Sequence, residues 1–108
     1  MEAHNFDGNV VEHEFIELFS RPGAMLEVVC VSNPETFLNS IKGEWMVFVT
    51  LNNGERYQLC KTRKRNEGRT FKTDIGLCAF QFRIGAQTLV VPAVAGERIV
   101  GIRNRHDR

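Results

Sequence analysis

The chain has 108 residues, 43% hydrophobic and 25% charged, with a formal net charge of +1; that length suits one domain over 1–108 and leaves no room for a two-domain enzyme. No apolar run approaches the roughly 18 residues of a membrane span, and the opening residues lack the basic-then-apolar pattern of a secretion signal. The small net charge hides a split, because residues 1–60 carry nine acids against three bases and residues 61–108 carry eleven bases against four acids.

In chain order, Asn9 with Glu12 three residues on has the form of a capping box. Val11, Phe15 and Leu18 then recur at helical spacing, which predicts a helix over 10–20 that stops at Ser20-Arg21-Pro22-Gly23. Alternation over 10–15 leaves a strand as the lesser reading. Residues 25–31 (MLEVVCV) form a β-branched run suited to a buried strand. Ser32-Asn33-Pro34-Glu35 reads as a helix start, with Asn33 as cap and Pro34 in the first turn. Phe37, Leu38 and Ile41 would be the apolar face of that helix, and Gly43 would close it.

Residues 45–51 and 55–62 flank Asn52-Asn53-Gly54, a hairpin signal because Asn-Gly tolerates the positive φ angles of tight turns. The second strand is expected to run on to Arg65, turn at Asn66-Glu67-Gly68 and return over 69–73 as a meander. Residues 74–85 (DIGLCAFQFRIG) have two readings. As a strand, Cys78, Phe80, Phe82 and Ile84 share a face. As a helix, Ile75, Cys78, Ala79 and Phe82 do, with Thr73 or Asp74 as cap and Gly85 as stop. The helix is favoured, because an unbroken run of strands leaves many edges to protect. A short strand over 88–91 closed by Pro92, a last strand over 98–102 and a frayed tail at 103–108 complete the chain. The expected fold is α+β: a single small domain with an antiparallel sheet of five or six short strands and two or three helices packed on it.

Cys30, Cys60 and Cys78 are an odd number at wide spacing among apolar neighbours, which reads as free buried thiols in a reducing cytoplasm. His13-Glu14-Phe15-Ile16 opens like a zinc-protease motif, but the next position is Glu17. No metal, no cofactor and no membrane partner are expected. A Gly-rich phosphate loop and a nucleophile elbow are both missing, and no enzymatic role is predicted.

The tract from Lys61 to Lys72 holds six bases and one acid. Lys61, Arg63, Lys64, Arg65, Arg69 and Lys72 are the candidate nucleic-acid-binding residues. Arginines fork onto phosphates or guanine edges, and each phosphate contact releases counterions. On a regular strand Arg63 and Arg65 would share one face, with Lys64 opposite. The competing reading is a solvated hairpin tip. Glu12, Glu14 and Glu17 offer a second surface, which would dock a basic protein or another copy of the chain. A third outcome is that the two halves fold together and interleave their charges.

The stretch RTFKTDIGLCAFQFRIGAQTLVV (69–91) resembles a pattern in small accessory proteins of plasmids and other mobile elements, including partition-associated ones. In that pattern a basic strand ending R-x-F-K precedes a helix, a Gly near its end, and an apolar strand; Arg69, Phe71, Lys72, Gly85 and 89–91 match. The resemblance covers about a fifth of the chain. It implies small cytoplasmic bacterial proteins with DNA-associated or regulatory roles and supplies no site residues. The expected function is therefore a small non-enzymatic regulatory protein that binds DNA or RNA through 61–72. The alternative is a protein-binding regulator or inhibitor that uses its acidic and basic faces, as a homodimer in one version.

Overall fold

The computed structural model describes residues 8–107. They form an α+β domain in which a mixed seven-stranded sheet carries two helices. The elements are β1 (Gly8–Val10), α1 (Glu12–Phe19), β2 (Met25–Phe37), β3 (Ser40–Thr50), β4 (Arg56–Lys61), β5 (Lys64–Gly68), β6 (Phe71–Thr73), α2 (Asp74–Ile84) and β7 (Arg98–Arg103). The main path of the sheet runs β1-β4-β3-β2-β7, with β5 beside β4 and β6 beside β3. It is not purely antiparallel, because β1 pairs with β4 in parallel, Gly8 opposite Tyr57. β1 is joined to β2 through α1 and not through a hairpin, so its direction is free of hairpin geometry.

Strand alternation sends Leu26, Val28 and Cys30 of β2 and Trp45, Val47 and Val49 of β3 to one face, where all are fully buried. Phe15 and Phe19 of α1 and Leu77 and Phe80 of α2 close over them. Each such side chain contributes roughly 1.5–3 kcal/mol by leaving water. On the other face Glu27 is buried between two arginines: Arg56 Nε and Arg98 Nη1 each donate to its carboxylate at 2.9 Å.

α1 begins two residues later than expected. The Val11 amide donates to Glu14 Oε1 at 2.9 Å, so Val11 and Glu14, not Asn9 and Glu12, mark the helix start. The 52–54 turn forms as read, with Gly54 at φ 93° and Thr50 opposite Arg56. Of the two readings of 74–85, the helix is observed: Thr73 Oγ1 accepts the Gly76 amide, and Gly85 closes the helix at φ 94°. Its buried face is not the expected one. Leu77, Phe80, Gln81 and Ile84 point inward, while Ile75 and Phe82 are 64% and 62% exposed.

The helix expected after Ser32 does not form. Residues 31–44 continue β2 and β3 as an arm, with Phe37 opposite Ser40 at its tip and Lys42 still paired with Thr73 of β6. Asn33 accepts the Ala95 amide instead of capping a helix, and Asp74 accepts the Ile41 amide. Pro34 falls in the register gap between Ser32 and Glu35, where the missing N–H breaks no ladder bond. Gly43 serves contact and not termination: a Cβ there would stand 2.9 Å from Trp45 Cη2.

The expected strand at 88–91 is also replaced by irregular chain. Gln81, fully buried on α2, takes the place of a neighbouring strand. Its Nε2 donates to the Val90 carbonyl at 2.8 Å and its Oε1 accepts the Val90 amide at 3.0 Å. Trp45 Nε1 fixes the same segment through the Pro92 carbonyl at 2.9 Å. At the C-terminus, residues 104–107 are tied down: the Arg105 amide donates to the Gly85 carbonyl, and Asp107 Oδ2 accepts the Gly23 amide.

Candidate nucleic-acid interface

β4 keeps register with β3 only as far as Gln58, opposite Phe48, because Phe71 of β6 takes the position beside Trp45. The displaced end of β4 pairs with β5, Cys60 with Gly68 and Lys61 with Lys64, in a ribbon that leaves the main sheet. Gly68 lies where the ribbon crosses the Gln58 and Met46 side chains. A Cβ there would fall 2.0 Å from Gln58 Nε2 and 2.9 Å from Met46 Cε, so glycine lets β5 approach without displacing either.

The ribbon turns at Thr62 and Arg63, not at 66–68 as the sequence reading had it. The Asn66-Glu67-Gly68 signal is spent otherwise, since Gly68 makes the close crossing and Glu67 reaches back across the ribbon. Arg63 therefore sits in the turn, and not on one strand with Lys64 and Arg65 as the alternation argument assumes.

Lys61, Thr62, Arg63, Lys64 and Asn66 are exposed along this ribbon. Lys61 Nζ donates to Glu67 Oε1 at 2.9 Å, and Lys64 Nζ lies 3.7 Å from the same carboxylate. Exposed pairs of this kind contribute roughly 0–1 kcal/mol, so either lysine can exchange Glu67 for a phosphate at little cost. Arg65 lies in β5 with its side chain outside the described residues.

Of the other two predicted bases, Arg69 follows the ribbon directly and Lys72 lies on β6 beside the arm. Arg69 Nη1 donates to Glu12 at 3.0 Å, and its guanidinium lies 4.8 Å from the Phe71 ring centroid and 5.7 Å from that of Phe80. Lys72 is paired with Glu44, which holds that carboxylate below the usual range. Glu12 also accepts two hydrogen bonds from Arg83, at 3.0 and 3.3 Å. Those bonds, and then the one from Arg69, hold the Glu12 carboxyl below its ordinary value against the opposing effect of burial. Arg83 was not singled out from the sequence, and nothing local signals a partner 71 residues away.

The two oppositely charged halves thus interleave. Glu12 with Arg69 and Arg83, Glu27 with Arg98, and Glu44 with Lys72 all join residues 1–60 to residues 61–108. The other acids of α1 are engaged locally, with Glu17 bonded to Arg21 at 3.0 Å and Glu14 to the Val11 amide. The thiols are recessed: Cys30 and Cys60 are buried, and burial pushes the Cys30 and Cys78 thiols up, away from reactive thiolates.

The described residues define an α+β domain that presents a basic two-stranded ribbon beside its main sheet. Comparison with protein-family models, with curated proteins and with solved structures finds no match to this chain.

Proposed function

We propose that this protein is a small, non-enzymatic regulatory protein that binds nucleic acid through the tip of the β4–β5 ribbon. The observation that carries the reading is the exposure of Lys61, Arg63 and Lys64 on a ribbon opposed by a single local acid, Glu67. A two-stranded ribbon fits the major groove, and Thr62 and Asn66 add neutral donors for phosphate oxygens. The binding set is Lys61, Arg63 and Lys64, with Arg65 included on sequence grounds. Arg69 acts as the footing of the ribbon, because Glu12 of the other half of the chain holds it, and Lys72 is left out because it lies on β6 beside the arm. A cytoplasmic, DNA-associated role in a plasmid or mobile element rests on the resemblance of 69–91 alone.

The test is fluorescence anisotropy with labelled duplex and single-stranded DNA and RNA at low salt. Reversing Arg63, Lys64 and Arg65 together to Glu removes binding on this reading. Equal affinity of that triple variant and wild type would sink it.

A second reading, a protein-binding regulator, is favoured by the arm. Leu38 at its tip is 89% exposed and held at φ 56°, and Phe37 beside it is 50% exposed. A groove of about 450 Å³, lined by residues including Ser32, Phe37, Lys42, Glu44 and Lys72, runs along the same arm. Truncating the tip with Phe37→Ser and Leu38→Gly leaves nucleic-acid affinity intact if the ribbon carries function. Loss of all function from that change, with the ribbon untouched, would favour the second reading.

A further inference from the structure

We propose that Asn53, in the turn between β3 and β4, is a site of self-modification: the Gly54 backbone nitrogen displaces the Asn53 side-chain amide and converts the residue to aspartate and isoaspartate. Asn53 and Gly54 are both exposed at the tip of the hairpin. Glycine leaves the attacking nitrogen unshielded, and a Cβ at Gly54 would meet nothing beyond its chain neighbours within 4 Å. The Glu55 amide donates to Asn53 Oδ1 at 3.0 Å. That oxygen gathers negative charge as Cγ is attacked, so a donor for the tetrahedral intermediate is already in place. Asn53 Nδ2, the leaving nitrogen, has no protein partner among the described residues.

The step needs only water. The Gly54 nitrogen gives up its proton and bonds to Asn53 Cγ, the Cγ–Nδ2 bond breaks, and the departing nitrogen takes up a proton and leaves as ammonia. The product is a cyclic succinimide, which water opens. Breaking the new bond to Cγ gives aspartate. Breaking the original backbone C–N bond gives isoaspartate, whose main chain runs on through Cβ and Cγ. Either product lowers the formal net charge from +1 to 0.

The fold singles out this asparagine. Asn33 precedes Pro34, whose nitrogen carries no proton. Asn104 is buried, with its Oδ1 on the His106 amide. Asn9 precedes the β-branched Val10 inside β1. Asn39, Asn52 and Asn66 are exposed, yet each is followed by a residue whose side chain shields the amide. One contact opposes the reaction at Asn53: the Gly54 amide donates to the Leu51 carbonyl at 2.9 Å and must first release it. Opening of 52–54 leaves the Thr50–Arg56 pair in place, so a fraying hairpin tip is enough and global unfolding is not required. The product sets a carboxylate beside Glu55 and, as isoaspartate, lengthens the loop that fixes the register of Arg56, a partner of the buried Glu27.

Peptide mapping by mass spectrometry tests this on folded protein held at mildly alkaline pH, beside the same chain unfolded in urea. The peptide containing Asn53 should gain about 1 Da before any other described asparagine reacts. Its rate should rise about tenfold per pH unit, because ionisation of the Gly54 amide supplies the nucleophile. Folded protein should react no more than about a hundredfold more slowly than unfolded, the factor set by local opening. Ion exchange should resolve a more acidic form that co-elutes with Asn53→Asp, part of it resistant at position 53 to an Asp-directed protease, as isoaspartate is. Earlier conversion of another described asparagine would overturn the proposal. So would a larger gap between folded and unfolded rates, since reaction would then await global unfolding. None of these outcomes depends on nucleic-acid binding.

Discussion

Replacing Gln81 with Leu removes one side chain that stands in for a whole strand. Gln81 is fully buried and gives the Val90 backbone both of its partners, at 2.8 and 3.0 Å, with a weaker 3.4 Å contact to the Leu77 carbonyl. Leucine keeps the helix propensity and much of the volume, so the loss is confined to hydrogen bonding. Two neutral bonds contribute roughly 0.5–1.5 kcal/mol each, and a backbone group left buried without a partner costs about 1–3 kcal/mol. If the loop lifts to reach water, it also strains the 2.9 Å bond between Trp45 Nε1 and Pro92. The expected loss is therefore about 2–4 kcal/mol, read as a lower urea midpoint at unchanged slope. Hydrogen exchange should accelerate at the Val90 amide before the sheet amides. A loss below about 0.5 kcal/mol with the Val90 amide still protected would refute the idea that Gln81 organises this segment.

Gly43→Ala should cost about 1–3 kcal/mol, because the added methyl meets the rigid, fully buried Trp45 ring and not a flexible chain end; thermal unfolding reads this directly. Glu12→Gln should cost about 1–2 kcal/mol near neutral pH, toward the lower figure because Arg83 is half exposed. The folded-state value of Glu12 lies below the ordinary 4.5, so its contribution is fully present above that value and is lost as pH falls through the folded one. The stability difference between wild type and Glu12→Gln should accordingly shrink on acidification below 4.5 and stay constant above it. A gap that widens at low pH would contradict the assignment.

What the sequence disclosed was local in origin. The 52–54 hairpin was legible because Asn53 and Gly54 encode their own turn: the Glu55 amide donates to Asn53 Oδ1, and Gly54 takes the positive φ. The ends of α2 were legible for the same reason, through Thr73 and Gly85. Which side of α2 faces the core was not, since both sides are apolar and only the sheet decides between them. The 31–44 arm went unseen because the cap signal at Asn33 and Pro34 is satisfied by a partner far along the chain, the Ala95 amide. The basic tract was visible as composition, but its division into a tip paired with the local Glu67 and bases paired with distant acids was not. That division depends on Glu12 and Glu44, which lie 57 and 28 residues from their partners. The net charge of +1 is composition alone, whereas which charges meet is set by contacts of this long-range kind.

The most direct test of a ribbon-tip interface is the salt dependence of duplex DNA affinity. Contacts from Lys61, Arg63, Lys64 and Arg65 predict a slope of log K against log salt near −3.6, about a 150-fold loss between roughly 50 and 200 mM salt. Participation of Arg69 and Lys72 as well would steepen the loss to about 2000-fold. A slope near −3.6 that collapses in the triple reversal of Arg63, Lys64 and Arg65 is the predicted result. Affinity that is indifferent to salt, or no binding to any nucleic acid at low salt, would contradict it.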